Sequence, residues 1–226
     1  MENRIVIATI IALCIGQTFS APATRTIDNT INGLDKLEHQ NMPQEVKKTM
    51  PSLIEITKKL TKLYASGNPM KITSDIFIGA DQLEMINLSD GNVKEIESRA
   101  FYGPSKLKKL NLSGNKLQSL PGDLFPKQNV VKEIDLSNNQ IEKLNRSTFK
   151  NLQHLKKLDL TNNKLTSLDG SIFADLINLQ ELDLTGNPIR SISEEFFASL
   201  PNGLQLSFDD GNLDFKSLEL TEQWAL

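Results

Sequence analysis

Leu107-Lys-Lys-Leu110-Asn-Leu112-Ser-Gly-Asn115-Lys-Leu117 is the stretch on which the fold turns. Leu110 and Leu112 flank Asn111, so an extended backbone sends both leucines to one face and Asn111 to the other. The pattern returns 24 residues later as Val131, Ile134, Leu136, Asn139 and Ile141. It returns again as Leu155, Leu158, Leu160, Asn163 and Leu165, and then as Leu179, Leu182, Leu184, Asn187 and Ile189. One step toward the N-terminus it reads Leu83, Ile86, Leu88, Gly91 and Val93, with glycine in the asparagine position. Weaker units flank these five: Leu60, Leu63, Ala65, Asn68 and Met70 on one side, and Leu206, Phe208, Gly211 and Leu213 on the other.

Two more registers share the period. Ile72, Ile96, Leu120, Leu144, Leu168 and Ile192 form one; Phe77, Phe101, Phe125, Phe149, Phe173 and Phe197 form the other. A unit this short cannot bury its leucines alone, so successive units must stack and share one core. The strands then form a parallel sheet spaced by about 4.8 Å. The asparagines Asn68, Asn115, Asn139, Asn163 and Asn187 fall where each strand turns. An amide there can donate to and accept from backbone groups that the turn leaves unpaired. The periodic phenylalanines are expected to fill the side opposite the sheet.

Over residues 60–213 the chain resembles the leucine-rich repeat family, in the 24-residue class common in extracellular animal proteins. The resemblance implies an α/β repeat solenoid: a horseshoe with a parallel concave sheet, an irregular or short-helical convex side and a helical N-terminal cap. It also implies a recognition role such as immune recognition, sequestration or inhibition. Many secreted members close their ends with cysteine-rich caps, and this chain departs from them.

That departure is visible in the composition. The 226 residues include one cysteine, Cys14, two histidines, and 25 basic against 28 acidic residues, for a net charge of −3. One thiol excludes a disulfide scaffold and a cysteine metal site. The charge balance argues against nucleic acid, which needs a clustered positive surface. Residues 1–20 read as a signal peptide: a charged start through Arg4, an apolar run from Ile5 to Ile15, and an exit of small residues at Ser20. The run is too short to span a bilayer. Its removal takes Cys14 away, so the expected mature protein is secreted, without a membrane span, and cysteine-free.

The ends must then close by packing. Residues 21–59 carry Ile27, Ile31, Leu34 and Leu37 at helical spacing, with Pro43 and Pro51 as breaks. Leu53, Ile56, Leu60 and Leu63 extend a helical pattern that competes with a strand over 60–65. We expect a helix to about residue 59, then the first strand. Residues 214–226, with Phe215, Leu218, Leu220 and Trp224, are the expected C-terminal cap.

Three positions per repeat should face the concave side. The first column reads Lys62, Met85, Lys109, Glu133, Lys157, Glu181 and Gln205; the second reads Tyr64, Asn87, Asn111, Asp135, Asp159, Asp183 and Ser207. The third holds Ser66, Ser89, Ser113, Ser137, Thr161, Thr185 and Asp209. The alternating signs from Lys109 to Glu181 suit a self-neutralising ladder. Three adjacent aspartates, Asp135, Asp159 and Asp183, repel unless lysines or a basic ligand compensate, although an Asp or Asn between the two leucines is common in the family. Calcium needs six or more oxygen ligands, more than one row offers. Tyr64 and Met85 are the candidate anchors of an interface, with packing of Tyr64 against the cap as the alternative.

Asn87-Leu-Ser89, Asn111-Leu-Ser113 and Asn145-Arg-Ser147 are glycosylation sequons. The first two put asparagine on the concave strand; Asn145 lies in the outer loop. Catalytic signatures for nucleophilic, nucleotide or metal chemistry are missing, and no cofactor is implied. The expected function is therefore non-enzymatic: a secreted module that binds an extracellular protein or microbial surface component through the concave face. The alternative is a matrix scaffold assembling through its ends. Residues 25–62 carry seven basic and five acidic groups, while residues 205–226 carry five acidic groups against Lys216. A monomer is expected in the first case and self-association in the second.

Overall fold

A computed structural model describes residues 59–67, 72–74, 76–169 and 172–209. The expected leader, the N-terminal cap through residue 58, the C-terminal cap and Asn68 lie outside these residues. Seven three-residue strands form one parallel sheet: β1 (Lys62–Tyr64), β2 (Met85–Asn87), β3 (Lys109–Asn111), β4 (Glu133–Asp135), β5 (Lys157–Asp159), β7 (Glu181–Asp183) and β9 (Gln205–Ser207). They pair in chain order, with Lys109 beside Glu133, Lys157 beside Glu181, and Asp135, Asp159 and Asp183 side by side. The fold class is the leucine-rich solenoid that the 24-residue period implies.

The strands turn their outer two residues toward solvent; Ile86, Leu110, Ile134, Leu158 and Leu182 form a buried row at their centres, flanked by the partly buried Leu63 and Leu206 of the end strands. Leu88, Leu112, Leu136, Leu160 and Leu184 form a second, equally buried row. On the far side, β6 (Ser167–Leu168) pairs with β8 (Ser191–Ile192), and Ile72 bridges to Ile96. These short pairings carry the Ile72-to-Ile192 register. The convex side is otherwise irregular, apart from the helix α1 (Glu194–Ser199).

The phenylalanines make a spine. Phe77, Phe101 and Phe125 stack with centroids 5.7 and 5.3 Å apart, and Phe149 stacks on Phe173 at 5.8 Å. The last member differs from expectation. Phe196, not Phe197, fills the position, edge-on to Phe173 at 5.7 Å and fully buried. Phe197 is only partly buried and packs on Phe196 edge-to-face at 5.1 Å. The reason is α1: a helical turn rotates side chains by about 100° per residue, so one residue of offset swaps which ring points inward.

Asn115, Asn139, Asn163 and Asn187 each bond two repeats. Asn139 donates to the carbonyls of Leu112 and Leu136 and accepts from the Leu117 N–H. Asn187 repeats this with Leu160, Leu184 and Leu165. In the second unit the Gly91 N–H donates to Asn115 Oδ1, which also accepts from Val93. Gly91 thus fills the space of an asparagine but supplies none of its bonds.

Two kinds of glycine position are dictated by geometry. Asp90, Gly114, Asn138, Asn162 and Gly186 all have positive φ, one per repeat just after the strand. Gly, Asn and Asp are the residues that tolerate this left-handed conformation. Gly103 has a different cause: a Cβ there would sit 2.0 Å from the Phe77 carbonyl oxygen. The obstacle is backbone, so it cannot swing away. Gly103→Ala should destabilise by about 1–3 kcal/mol, as overpacking does. Urea unfolding followed by circular dichroism would measure it; an unchanged midpoint would mean the two loops are free to separate.

Candidate functional site

The sheet brings the predicted concave residues together. Tyr64, Met85, Lys109, Glu133, Asp135, Lys157, Asp159, Glu181 and Asp183 all line one open trough of about 530 Å³, with Asn87 and Asn111 beside them. The strands place them there because every outer strand position faces away from the leucine core. Tyr64, at the first strand, is 48% exposed. Met85 is half-buried on the neighbouring strand.

The first column is electrostatically closed on itself. Lys109 Nζ lies 2.7 Å from Glu133 Oε2, and Lys157 Nζ lies 2.5 Å from Glu181 Oε2. The hydrogen bond and charge of Glu181, with the more distant charge of Glu133, hold the Lys157 ammonium above the ordinary lysine range. These lysines therefore answer glutamates rather than the aspartate row.

The aspartates have another partner, which sequence reasoning missed. Asp135 Oδ1 accepts from the Ser137 N–H at 2.9 Å and its hydroxyl at 2.7 Å. Asp159 does the same with Thr161, and Asp183 with Thr185 at 2.9 and 2.8 Å. Asn111 holds Ser113 identically, at 2.8 and 2.7 Å, and Asn87 accepts from the Ser89 N–H at 3.0 Å. The column is a row of turn locks in which Asp and Asn are interchangeable, because either side chain presents the oxygen that the turn needs.

This changes the third column too. The hydroxyls of Ser113, Ser137, Thr161 and Thr185 fold back onto the turn and that of Ser89 meets the Ser66 hydroxyl at 2.6 Å, rather than presenting a binding surface: Ser89 and Ser137 are buried, and Ser113, Thr161 and Thr185 are half-buried. The signal was present in the sequence as a recurring Asn/Asp-Leu-Ser/Thr triplet. What the lock leaves open is Oδ2 of each aspartate, aligned on three adjacent strands within the trough. Among the described residues no group of three or more His, Cys, Asp or Glu could hold a metal ion, and no helix is long and apolar enough to cross a membrane.

Residues 71–117, 81–127, 129–189 and 153–213 match the family model described as Leucine rich repeat, and together these spans cover more than half the chain. No curated protein matches the sequence. Among solved structures, one similar chain comes from the Toll–Spatzle complex of Drosophila, described as a hub in development and innate immunity. It has a TM-score of 0.65 and 28% identity, covering 74% of this chain and 22% of that one. Another is in the octameric complex of Latrophilin 3, Unc5D and FLRT2, with a TM-score of 0.58 and 24% identity over 67% of this chain and 48% of that one. A third is a leucine-rich repeat protein of Leptospira interrogans, with a TM-score of 0.54 and 24% identity over 83% of this chain and 48% of that one. The last two bear on the fold alone. The chain thus spans less than half the length of each of these relatives.

Proposed function

We propose, from the premise that this chain belongs to the leucine-rich repeat family, that it is a secreted, glycosylated binding module whose concave sheet seats a protein partner. The observation that carries this is the trough itself. Nine side chains from six strands converge on one open face whose neighbouring lysines and glutamates are already paired. Such a surface can desolvate against a partner without leaving those charges orphaned. Tyr64 and Met85 supply apolar contact at one end, and the free Oδ2 oxygens of Asp135, Asp159 and Asp183 supply acceptors for cationic donors along the rest. The similarity to a chain of the Toll–Spatzle complex, solved in a glycosylated form, supports this reading. Binding rather than catalysis is also what a solenoid's extended concave surface suits.

The test uses variants that keep the turn locks. Asp135→Asn, Asp159→Asn and Asp183→Asn together remove three charges but retain Oδ1, as Asn87 and Asn111 already do. The substitutions complete Asn-Leu-Ser/Thr sequons, so this variant and the wild type are both made in bacteria. A partner captured from extracellular fluid by immobilised wild type should bind the triple variant at least about tenfold more weakly, equivalent to about 1.4 kcal/mol. Tyr64→Ala with Met85→Ala should weaken it further. Undiminished binding by both variants would move the interface off the concave face.

A further inference from the structure

We propose that Asn145 is the modified sequon, carrying an N-linked glycan on the outer flank, and that Asn87 and Asn111 stay bare so that the concave trough remains open. This rests on the reading of the chain as secreted, since the transfer occurs in the secretory pathway. All three sequon asparagines accept from the N–H two residues on, and Asn111 and Asn145 also accept from the hydroxyl there. Asn145 Oδ1 accepts from the Ser147 N–H at 2.9 Å and its hydroxyl at 2.6 Å, the lock seen at Asn111. Thr148 closes the turn from the other side, its Oγ1 accepting from the Asn145 N–H at 3.1 Å. Every one of these bonds uses Oδ1 or backbone and none uses Nδ2. By contrast, Asn115, Asn139, Asn163 and Asn187 spend Nδ2 on buried carbonyls.

Nδ2 is the atom that transfer requires. It attacks the anomeric carbon of a polyprenyl-diphosphate-linked oligosaccharide. A C–N bond forms, the bond from that carbon to the diphosphate oxygen breaks, and the lipid diphosphate leaves. Nδ2 gives up one proton, which passes to solvent to balance the departing diphosphate anion, and keeps the other, while Oδ1 is untouched. The turn at Asn145 therefore survives modification with all its bonds.

Surroundings separate the sites. Asn145 is exposed, with Arg146 and Ser147 exposed beside it, and borders an open depression of about 450 Å³ together with Lys150, Ala174 and Asp175. It lies between β4 and β5, outside both strands. Asn87 and Asn111 are half-buried, in register with each other and with Tyr64 and Asp135 on either side. Strands about 4.8 Å apart leave no width for two branched oligosaccharides side by side. A glycan at either would also lie across Met85 and Lys109, which share the trough.

The full chain is expressed in insect cells in two forms, one with its own N-terminus and one behind an added secretory leader. Enzymatic amide deglycosylation in heavy-oxygen water then marks each modified asparagine as labelled aspartate for peptide mass spectrometry. We expect label at Asn145 alone, and a single-glycan gel shift that Asn145→Asp abolishes and that Asn87→Asp with Asn111→Asp leaves intact. These substitutions keep the Oδ1 lock, so folding is preserved. Secreted protein with no label at Asn145, or with label at Asn87 or Asn111, overturns the inference. If the form with its own N-terminus stays inside the cell while the led form enters the medium, the secretion reading fails, and the led form still decides which sequon is used.

Discussion

Replacing Asn163 should strongly destabilise the middle of the solenoid. Its Nδ2 donates to the carbonyls of Leu136 and Leu160 at 3.0 Å each, and its Oδ1 accepts from the Ile141 N–H at 3.0 Å. Asn163 itself is 5% exposed, so no water stands ready to replace it. Asn163→Ala leaves the Ile141 N–H unpaired in the core and strips one donor from each of the Leu136 and Leu160 carbonyls, which keep Asn139 and Asn187 as their others. At about 1–3 kcal/mol for the unsatisfied N–H and about 1 kcal/mol for each further bond lost, less than additively, the expected cost is about 2–4 kcal/mol. Asn163→Asp sharpens the test. It keeps the acceptor for Ile141 but turns a donor into a carboxylate oxygen facing two carbonyl oxygens.

That introduced carboxyl has its charged form disfavoured by burial and by the facing carbonyls, so its folded-state pKa lies above its unfolded value. The extra penalty is then fully present at pH values above the folded-state pKa and shrinks as the pH falls through it. Denaturant unfolding of both variants across pH checks this. The Asn163→Ala deficit should be flat with pH, while the Asn163→Asp deficit should lessen toward acid. A pH-independent Asn163→Asp deficit would mean that the carboxylate escapes to solvent.

Phe173→Ala is the second large effect. The ring is fully buried, stacked on Phe149 at an interplanar angle of 18° and met edge-on by Phe196 at 81°. Truncating a buried phenylalanine costs about 3–5 kcal/mol, from lost transfer energy and the cavity left behind. In a solenoid the loss falls on the interfaces with the two neighbouring repeats, because each repeat touches only those beside it. The region from β7 through β9 should therefore lose hydrogen-exchange protection while β2 to β4 keep theirs. Uniform loss of protection across all strands would mean that the array unfolds as a single cooperative unit.

The repeat was legible because its period reports directly on which residues stack. Once Leu110, Ile134, Leu158 and Leu182 are seen to share a register, the strands, their parallel pairing and the outward direction of Lys109, Glu133, Lys157 and Glu181 follow from backbone geometry alone. The turn role of the asparagines followed likewise, from their position and the chemistry of an amide. The period misplaced one aromatic: it selected Phe197, but the local helix α1 put Phe196 inside.

What only the tertiary structure decided is what each outward side chain does with its atoms. A column of aspartates reads as free charge in sequence, yet one oxygen of each is bound by a hydroxyl and an N–H two residues along. The alternating first column reads as a self-neutralising ladder, and the structure adds which pairs close: Lys109 with Glu133 and Lys157 with Glu181. Gly103 reads as an ordinary loop glycine until the Phe77 carbonyl is seen to occupy the space of its missing Cβ. Periodicity specifies direction to within a face, whereas these outcomes depend on rotamers and on separations of a few ångströms between repeats. Such distances exist only after the core has set how closely one repeat lies on the next.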